Sequence, residues 1–454
     1  MLFQLPSFLI FFTVFVAGLL VLPRAIRRDY VLAASLFFYA WWYPPFLMVM
    51  LGLILLGWAG AHLVARHRNW LGICVVVALI PLVVFKYTDF ILETVDELTG
   101  LHTPRLAWPL PLGISFVTFT IVALLIDVTR RKDVRPASLR DTALFITFFP
   151  QLIAGPILRA NELVPQLPAI RFDAKAFAPN LALFTVGMLK KVMIADPVSG
   201  FVDRHFAASA ATTGWEAALA TLGFVTQIYC DFSAYSDMAL ALAGMLGVAL
   251  PQNFRSPYRA TSMTEIWQRW HMTLSFWLRD YLFRPLHARL QHTARYLSII
   301  LTMSLSGLWH GAAWTFVLWG IVQGCIMAAE SASGYSKIAR DARGPARWGF
   351  IAIALFIWYL TVILFRAPDL GAAANIYTGL LGLRGWGAWP EGGTLVVVLT
   401  AVVLATHHLD QAPRILAGAA RVPAALAIPV LLSIVVACAL IAAGRPESFY
   451  YFDF

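Results

Sequence analysis

The sequence predicts an all-α integral membrane protein with about eleven transmembrane helices, plus re-entrant and interfacial helices between them. Two observations lead to this prediction. Charged side chains make up only 13% of the 454 residues and 60% are hydrophobic, whereas a soluble domain has roughly 25% charged residues. Apolar runs of about 20 residues, the length that a helix needs to cross a bilayer, recur along the chain. Neither an internal repeat nor a long linker interrupts them, so residues 1–454 are expected to form a single polytopic domain.

The first apolar segment, residues 3–22, has no Lys or Arg before it and is followed by three arginines within residues 24–28. A signal peptide has its positive charge first, so this segment is expected to be an uncleaved helix with the N-terminus outside. Basic residues recur at 66–68 and 130–140. These are alternate loops, so the positive-inside rule places them together in the cytoplasm.

The remaining apolar stretches predict the later spans, and one of them is irregular. They cover residues 30–64, 71–85, 111–126, 176–195, 215–250, 296–329, 348–365, 394–408 and 423–443. Between the third and fourth stretches, the apolar run 148–159 contains Pro150, Gly155 and Pro156. Such a break survives at membrane depth only when it is buried in protein or lines a wet cavity. We therefore expect an irregular segment here that is either buried in protein or lines a wet cavity.

The net charge of +10 does not indicate a nucleic-acid partner. The basic residues lie in short loops, and neither a basic patch with interleaved aromatic residues nor a nucleic-acid motif accompanies them. The four cysteines stand singly in apolar segments, without CxxC spacing or neighbouring histidines. We expect no disulfide and no metal site.

One histidine, His310, lies in the apolar stretch 304–319, S-L-S-G-L-W-H-G-A-A-W-T-F-V-L-W. An ionisable ring inside a membrane-length segment is a candidate functional group by default. The alternative is a structural histidine that is hydrogen-bonded by Ser304, Ser306 or a backbone carbonyl. Glycines on both sides of the ring favour function, because they let a substrate or another helix approach closely.

A second histidine, His271, lies in the polar segment 252–286. Thr264 is a candidate cap for a helix that begins near Glu265. Apolar residues then recur at three- and four-residue steps and predict one stripe: Trp267, Trp270, Leu274, Trp277, Leu278 and Tyr281. Glu265 with Arg269, and Asp280 with Arg284, are spaced for ion pairs. An amphipathic interfacial helix explains this pattern, but it does not account for the histidine beside Trp270, which suggests a cavity mouth for an anionic ligand.

Two carboxylates lie in D-F-S-A-Y-S-D, residues 231–237, at the expected start of an apolar helix. Asp231 is a candidate cap of that helix. Asp237 lies further in, where it is either paired structurally with Arg or Tyr or placed in a reaction channel. The sequence lacks G-x-S-x-G, P-loop, G-x-G-x-x-G and H-E-x-x-H motifs. The sequence therefore has none of the motifs that usually indicate a serine hydrolase, a nucleotide-driven pump or a zinc protease.

Several of these segments together resemble the membrane-bound O-acyltransferase (MBOAT) family, and within it the bacterial alginate O-acetylation branch. The resembling segments are P-L-G-I-S-F (111–116), F-F-P-Q-L-I-A-G-P-I (148–157), F-S-A-Y-S-D-M-A (232–239), W-Q-R-W-H-M-T-L-S-F-W-L-R-D-Y-L (267–282), L-W-H-G-A-A-W (308–314) and F-R-A (365–367). They occur in the family's order over about residues 86–367.

The resemblance implies a ring of tilted helices around a central funnel, in the inner membrane of a bacterium. It also implies that His310 is the catalytic histidine and that His271 matches a second, less uniform histidine position. The acyl donor would be cytosolic acetyl-CoA. The acceptor would be hydroxyls of an exported polysaccharide, reached through a periplasmic partner acetyltransferase, because no appended soluble domain is expected in this chain.

On this hypothesis His310 acts as the general base that deprotonates the acceptor hydroxyl. His271 would orient the donor or relay the proton, with Asp237, Trp309 and Ser306 in support. Three arginines are candidates for the phosphates of CoA, since guanidinium groups match phosphate oxygens, although for each one singly an interfacial anchor is the favoured alternative: Arg269, Arg279 and Arg284. Two alternatives remain open: a multispanning transporter, and a family member that acylates a lipid or a protein.

Overall fold

The computed structural model describes residues 1–131, 134–290, 294–444 and 447–450, and all regular structure in these ranges is helical. In the first half, the helices are α1 Pro6–Val21, α2 Arg27–Ala40, α3 Phe46–Arg66, α4 Leu71–Leu82, α5 Thr88–Thr99, α6 Ile114–Arg130, α7 Leu139–Thr147, α8 Ala160–Leu163, α9 Ala174–Leu189, α10 Asp196–Ala207 and α11 Gly214–Met245. In the second half, they are α12 Met263–Trp267, α13 Met272–Trp277, α14 Arg284–Arg289, α15 Arg295–His310, α16 Trp314–Ser333, α17 Tyr335–Asp341, α18 Gly344–Arg366, α19 Leu370–Leu380, α20 Gly393–Thr406, α21 Ala412–Ala419 and α22 Ala424–Gly444. One residue of the predicted basic loop, Lys132, lies outside the described ranges.

Within the described residues, five helical segments are long and apolar enough to cross a bilayer. They are Phe46–Arg66, Arg68–Thr99, Trp314–Ser333, Gly344–Arg366 and Ala424–Gly444, and α1 and α20 are shorter apolar helices. The predicted all-α membrane class is thus confirmed. The predictions of about eleven spans and of a central funnel stay predictions.

The chain divides into two compact units that alternate along the sequence. Unit 1 comprises Met1–Met188, Tyr235–Gln252 and Leu416–Phe454, and unit 2 comprises Leu189–Ala234 and Asn253–Ile415. Helix α11 passes from unit 2 into unit 1 at Tyr235. That residues 1–454 form one domain stays a prediction.

Unit 1 has an aromatic core. The rings of Phe11 and Phe149 meet edge to face at 5.5 Å, and those of Phe15 and Tyr30 stack at 5.6 Å. The irregular run 148–159 lies in this core, non-helical and almost wholly buried. This confirms the prediction from its prolines and glycine. Gly155 allows the turn, because a Cβ there would lie 2.5 Å from the Cα of Gln151.

Unit 2 contains a buried ionic network. The Nζ of Lys190 is 3.1 Å from Asp410, and the Nζ of Lys191 is 2.9 Å from Asp196 and 2.7 Å from Asp231. The prediction that Asp231 caps a helix is wrong. Helix α11 begins at Gly214, and Asp231 lies in its interior, where it is needed as a counter-ion for a buried ammonium group.

The predicted helix from Glu265 onward is interrupted. Ser262, not Thr264, caps α12, because its hydroxyl accepts a hydrogen bond from the Glu265 N–H. Thr264 instead donates through N–H and hydroxyl to the Glu330 carboxylate. Helix α12 ends at Trp267, and a new helix, α13, starts only after His271. The apolar stripe is nevertheless buried along both helices, except at its last member, which is half-buried.

Candidate functional site

Helices α15 and α16 pack backbone to backbone, and this contact positions His310. A Cβ on Gly307 would collide with the carbonyl oxygen of Phe316, and a Cβ on Gly320 would collide with that of Met303. Both collisions involve main-chain atoms, which cannot move aside cheaply. The sequence left open whether the glycines beside the histidine admit a substrate or a helix. Gly307 admits a helix, and the histidine at the end of α15 is thereby held against α16.

Aromatic rings surround His310, whose exposure is only 2%. The centroid of its imidazole lies 4.9 Å from that of Trp309, 5.5 Å from that of Trp319 and 5.2 Å from that of Phe365. Ser304 donates its hydroxyl to the carbonyl of Ile300. Ser306 is fully buried one turn before the histidine, and no described residue hydrogen-bonds to its hydroxyl. The described contacts of the imidazole are thus mainly with aromatic rings.

His271 lies in the break between α12 and α13, with a left-handed backbone at φ +44°. Its Nδ1 is 3.2 Å from the Oδ1 of Asn253, and its ring meets Phe232 edge to face at 4.7 Å. The residue is fully buried and lies outside the five apolar segments. Burial lowers the pKa of His271 to about 3, so its ring is neutral near pH 7.

Trp309 connects the two histidines. Its ring centroid lies 6.3 Å from that of His271 and 4.9 Å from that of His310. The structure therefore brings together three residues that the sequence singled out in two segments. A neutral imidazole can take a proton from a hydroxyl, and the rings of both histidines lie close to this one indole.

The three candidate arginines all form ion pairs. Arg269 donates to Glu265 at 2.7 and 2.9 Å, and Arg279 and Arg284 both approach Asp280 at 2.8 Å. Both predicted i,i+4 pairs are thus confirmed. The Arg279 and Arg284 side chains are 47% and 65% exposed, whereas Arg269 is largely covered. Binding of CoA phosphates by these residues stays a prediction.

The carboxylate of Glu265 is held ionised by its surroundings. Burial alone raises its pKa, but hydrogen bonds from the N–H and hydroxyl of Thr261, together with Arg269, bring the pKa below its usual value. Arg269 is therefore tied to a permanent partner. Any phosphate would have to share this guanidinium group with Glu265.

Asp237 is buried at 8% exposure on α11, in the part of that helix that belongs to unit 1. Its suggested support of the histidines stays a prediction, as do the roles of Trp309 and Ser306. Among residues 1–131, 134–290, 294–444 and 447–450, no group of three His, Cys, Asp or Glu side chains could hold a metal ion.

Sequence reasoning missed several residues near these groups. Asn253 is one, although it opens the same polar segment as His271. His407 and Asp410 are others, and the polar run T-H-H-L-D-Q at 406–411, directly after an apolar helix, was the available signal. Phe365 lies in the F-R-A segment, and its ring contacts His310.

Comparison with known proteins gives a consistent result. The family model of the membrane-bound O-acyltransferases matches residues 113–363. The chain is 38% identical over 402 residues to the probable alginate O-acetylase AlgI of Azotobacter vinelandii, which covers 85% of this chain and 79% of the relative. It is 33% identical over 393 residues to the peptidoglycan O-acetyltransferase of Helicobacter pylori, with 78% and 73% covered. To the teichoic acid D-alanyltransferase of Streptococcus thermophilus it is 29% identical over 276 residues, with 56% and 66% covered.

Proposed function

The chain belongs to the membrane-bound O-acyltransferase family, and from this premise we propose that it transfers acetyl groups from cytosolic acetyl-CoA toward hydroxyls of an exported polysaccharide. Family membership makes it an O-acyltransferase, so the transporter alternative is set aside. Relatives named as alginate and peptidoglycan O-acetyltransferases support an acetyl group and a polymeric acceptor. A protein or lipid acceptor is the second candidate within the same chemistry.

The arrangement of His310, Trp309 and His271 is the observation that carries the proposal. Two buried imidazoles lie close to one indole, and all three residues lie within the range that the family model matches. An imidazole in its neutral form supplies the proton acceptor that such a transfer needs. General-base help of this kind is worth roughly 10²–10⁴ in rate.

In the proposed reaction His310 takes the proton of the acceptor hydroxyl while the hydroxyl oxygen attacks the thioester carbonyl. A C–O bond forms and the C–S bond of acetyl-CoA breaks. The departing thiolate receives the proton from the His310 imidazolium, so the base is regenerated. His271 orients the donor or relays the proton, and Arg269, Arg279 and Arg284 are assigned to the CoA phosphates.

We further place the protein in the bacterial inner membrane with its N-terminus outside, on the basis of the basic loops and the bacterial relatives. Acetyl-CoA stays in the cytoplasm, so the acetyl group must pass through this protein to reach a polymer outside. A periplasmic acetyltransferase is proposed as the partner that completes the transfer.

The test is transfer of labelled acetyl groups by the purified protein in liposomes, with the candidate partner and polymer present. Wild type should consume acetyl-CoA and form acetyl esters, whereas His310→Ala should abolish both without loss of expression or membrane insertion. His408→Ala is the matched control, because His408 is exposed and hydrogen-bonds only locally, to the carbonyl of Ala405. Substantial turnover by His310→Ala would remove the general-base assignment. D-alanyl transfer in place of acetyl transfer would overturn the proposed donor.

A further inference from the structure

We propose that Asn253 is a positioning residue that fixes the tautomer of His271, so that Nε2 is the basic nitrogen of this ring. The inference rests on the proposed function, because it concerns a histidine assigned to that reaction. It goes beyond that proposal because it names the ring nitrogen that carries the basic lone pair and the side chain that sets the tautomer.

The first step is to identify the amide atom that faces the histidine. The backbone N–H of Thr273 is 3.2 Å from the Oδ1 of Asn253, and the Thr273 hydroxyl is 2.9 Å from the same atom. A backbone N–H can only donate, so the atom it meets must be the carbonyl oxygen of the amide, not its nitrogen. The orientation of the Asn253 side chain is thereby fixed.

The second step follows for the imidazole. Its Nδ1 lies 3.2 Å from that oxygen, which has only lone pairs to offer, so Nδ1 must carry a proton and donate it. The fully buried ring is neutral near pH 7, since burial disfavours imidazolium. A neutral imidazole has one proton, and Nε2 is therefore the nitrogen with the lone pair.

The third step concerns rigidity. Asn253 also binds through its main chain, because its carbonyl accepts the N–H of Met272 at 2.9 Å. One residue thus holds positions 271, 272 and 273 together. The left-handed backbone of His271 is uncommon for a residue other than glycine, and these bonds hold it in place. The ring is thereby kept between the edge of Phe232 and the indole of Trp309.

A purely structural role makes a different prediction, because Asn253 also caps the start of α13 through the Thr273 N–H. If capping were its only function, loss of the side chain would lower stability and activity together, whatever the tautomer of His271. Thr273→Val separates the two roles. It removes one hydrogen bond to the amide oxygen but leaves the contact between Asn253 and the imidazole.

The experiment measures acetyl-CoA turnover in liposomes by wild type, Asn253→Ala, Asn253→Asp and Thr273→Val. Asn253→Ala should lower kcat by about 10- to 100-fold, less than the full range of roughly 10²–10⁴ for a general base, without changing KM for acetyl-CoA. Asn253→Asp keeps an acceptor at the same place and should retain activity to within about tenfold of wild type. Thr273→Val should remain within about threefold, as expected for one neutral hydrogen bond.

A histidine analogue methylated at Nδ1 provides the decisive arm. Placed at position 271 in the Asn253→Ala background, its methyl group occupies the space of the lost amide and forces the lone pair onto Nε2. Turnover should recover to at least ten times that of Asn253→Ala. In the wild-type background the same methyl group meets the Asn253 oxygen and should inhibit.

Three outcomes overturn the inference: full activity of Asn253→Ala, no rescue by the methylated analogue in a correctly folded protein, or equal losses in Asn253→Ala and Thr273→Val. If Asn253→Ala does not fold, an inactive but folded Asn253→Asp overturns it instead. Inactive wild type would contradict the proposed function, a result distinct from all of these.

Discussion

His271 and His407 are both buried in unit 2, and both are neutral, yet the described hydrogen bonds engage different ring nitrogens. His271 uses its Nδ1–H toward Asn253, which leaves the lone pair on Nε2. His407 accepts the N–H of Tyr258 at 2.9 Å on its Nε2, so its proton is on Nδ1, and no described residue hydrogen-bonds to that nitrogen. Burial lowers the pKa of His407 to about 4.

The electrostatic surroundings of the two histidines also differ. Aromatic rings contact both histidines, but His271 meets a neutral amide, whereas His407 lies near the charged Asp410. Asp410 pairs with Lys190 and accepts the Tyr229 hydroxyl at 2.6 Å. Burial raises the pKa of Asp410, but Lys190 and Tyr229 outweigh this and bring the pKa below its ordinary value. A histidine whose lone pair is engaged by the main chain cannot serve as a base without breaking its own support. This difference is consistent with the proposed role of His271 in the reaction and with a structural role for His407.

The largest effect should separate the two histidines directly. We expect His271→Ala to lower acetyl transfer per folded molecule by roughly 10²–10⁴, the range for a lost general acid or base, beyond the loss of thermal stability that removal of a buried ring causes. His407→Ala should lower the unfolding temperature and leave kcat per folded molecule within a few-fold. Labelled-acetyl kinetics and unfolding temperatures of both variants in the same detergent would check this. Equal kinetic losses would break the comparison.

Breaking the ion pair between Lys190 and Asp410 should lower the folding stability. Asp410→Asn removes the carboxylate that pairs with the buried ammonium group of Lys190, and breaking a buried pair costs about 3–5 kcal/mol. We expect a large fall in unfolding temperature but normal KM for acetyl-CoA in the molecules that remain folded. The double variant Lys190→Met/Asp410→Leu should recover part of the loss, and failure to recover would show that the charges themselves are needed.

Disturbing the backbone contact between α15 and α16 should have an intermediate effect on stability and activity. Gly320→Ala places a methyl group against the carbonyl of Met303, and forcing such a contact costs about 1–3 kcal/mol. Transfer should fall as well, because α15 must shift and its last residue is His310. Gly349→Ala is the matched control, since a Cβ there meets nothing within 4 Å. Full activity of Gly320→Ala would show that the close contact is not required.

The smallest expected effect is on pH dependence. Both histidines have folded-state pKa values below the ordinary 6.5, at about 3 and about 4. The neutral histidines therefore contribute fully to folding stability above pH 6.5. This contribution is lost as the pH falls toward their folded-state pKa values, because the unfolded chain takes up protons first. At pH 5 the loss is up to about 2 kcal/mol for each histidine. Thermal unfolding between pH 7.5 and 5 should shift less in His407→Gln than in wild type, and an identical shift would argue against a neutral His407.

The sequence supplied the class of the molecule and the main features of the site because both depend on composition and spacing. The run 148–159 was predicted to be irregular from Pro150 and Gly155, since these residues have backbone constraints of their own. His310 and His271 stood out because ionisable rings are rare in apolar segments.

The rest depends on contacts between distant segments. The periodicity of the apolar stripe continues across the break before His271, so spacing alone could not reveal its left-handed backbone. Asn253 is an ordinary polar residue until Thr273 and His271 are brought against its amide. The ion pair of Lys190 and Asp410 joins residues that lie on opposite sides of both histidine segments in the sequence.

The contact between α15 and α16 has a consequence for altering acyl selectivity. The place of the imidazole is set by main-chain atoms at Gly307 and Gly320, whereas the walls beside it are the side chains of Trp319 and Phe365. The side chains beside the imidazole and the main-chain contact that places it can therefore be changed separately. Under the proposed function, substitutions of the two rings would leave the backbone contact that places His310 intact, whereas a methyl group at Gly307 or Gly320 would displace the ring.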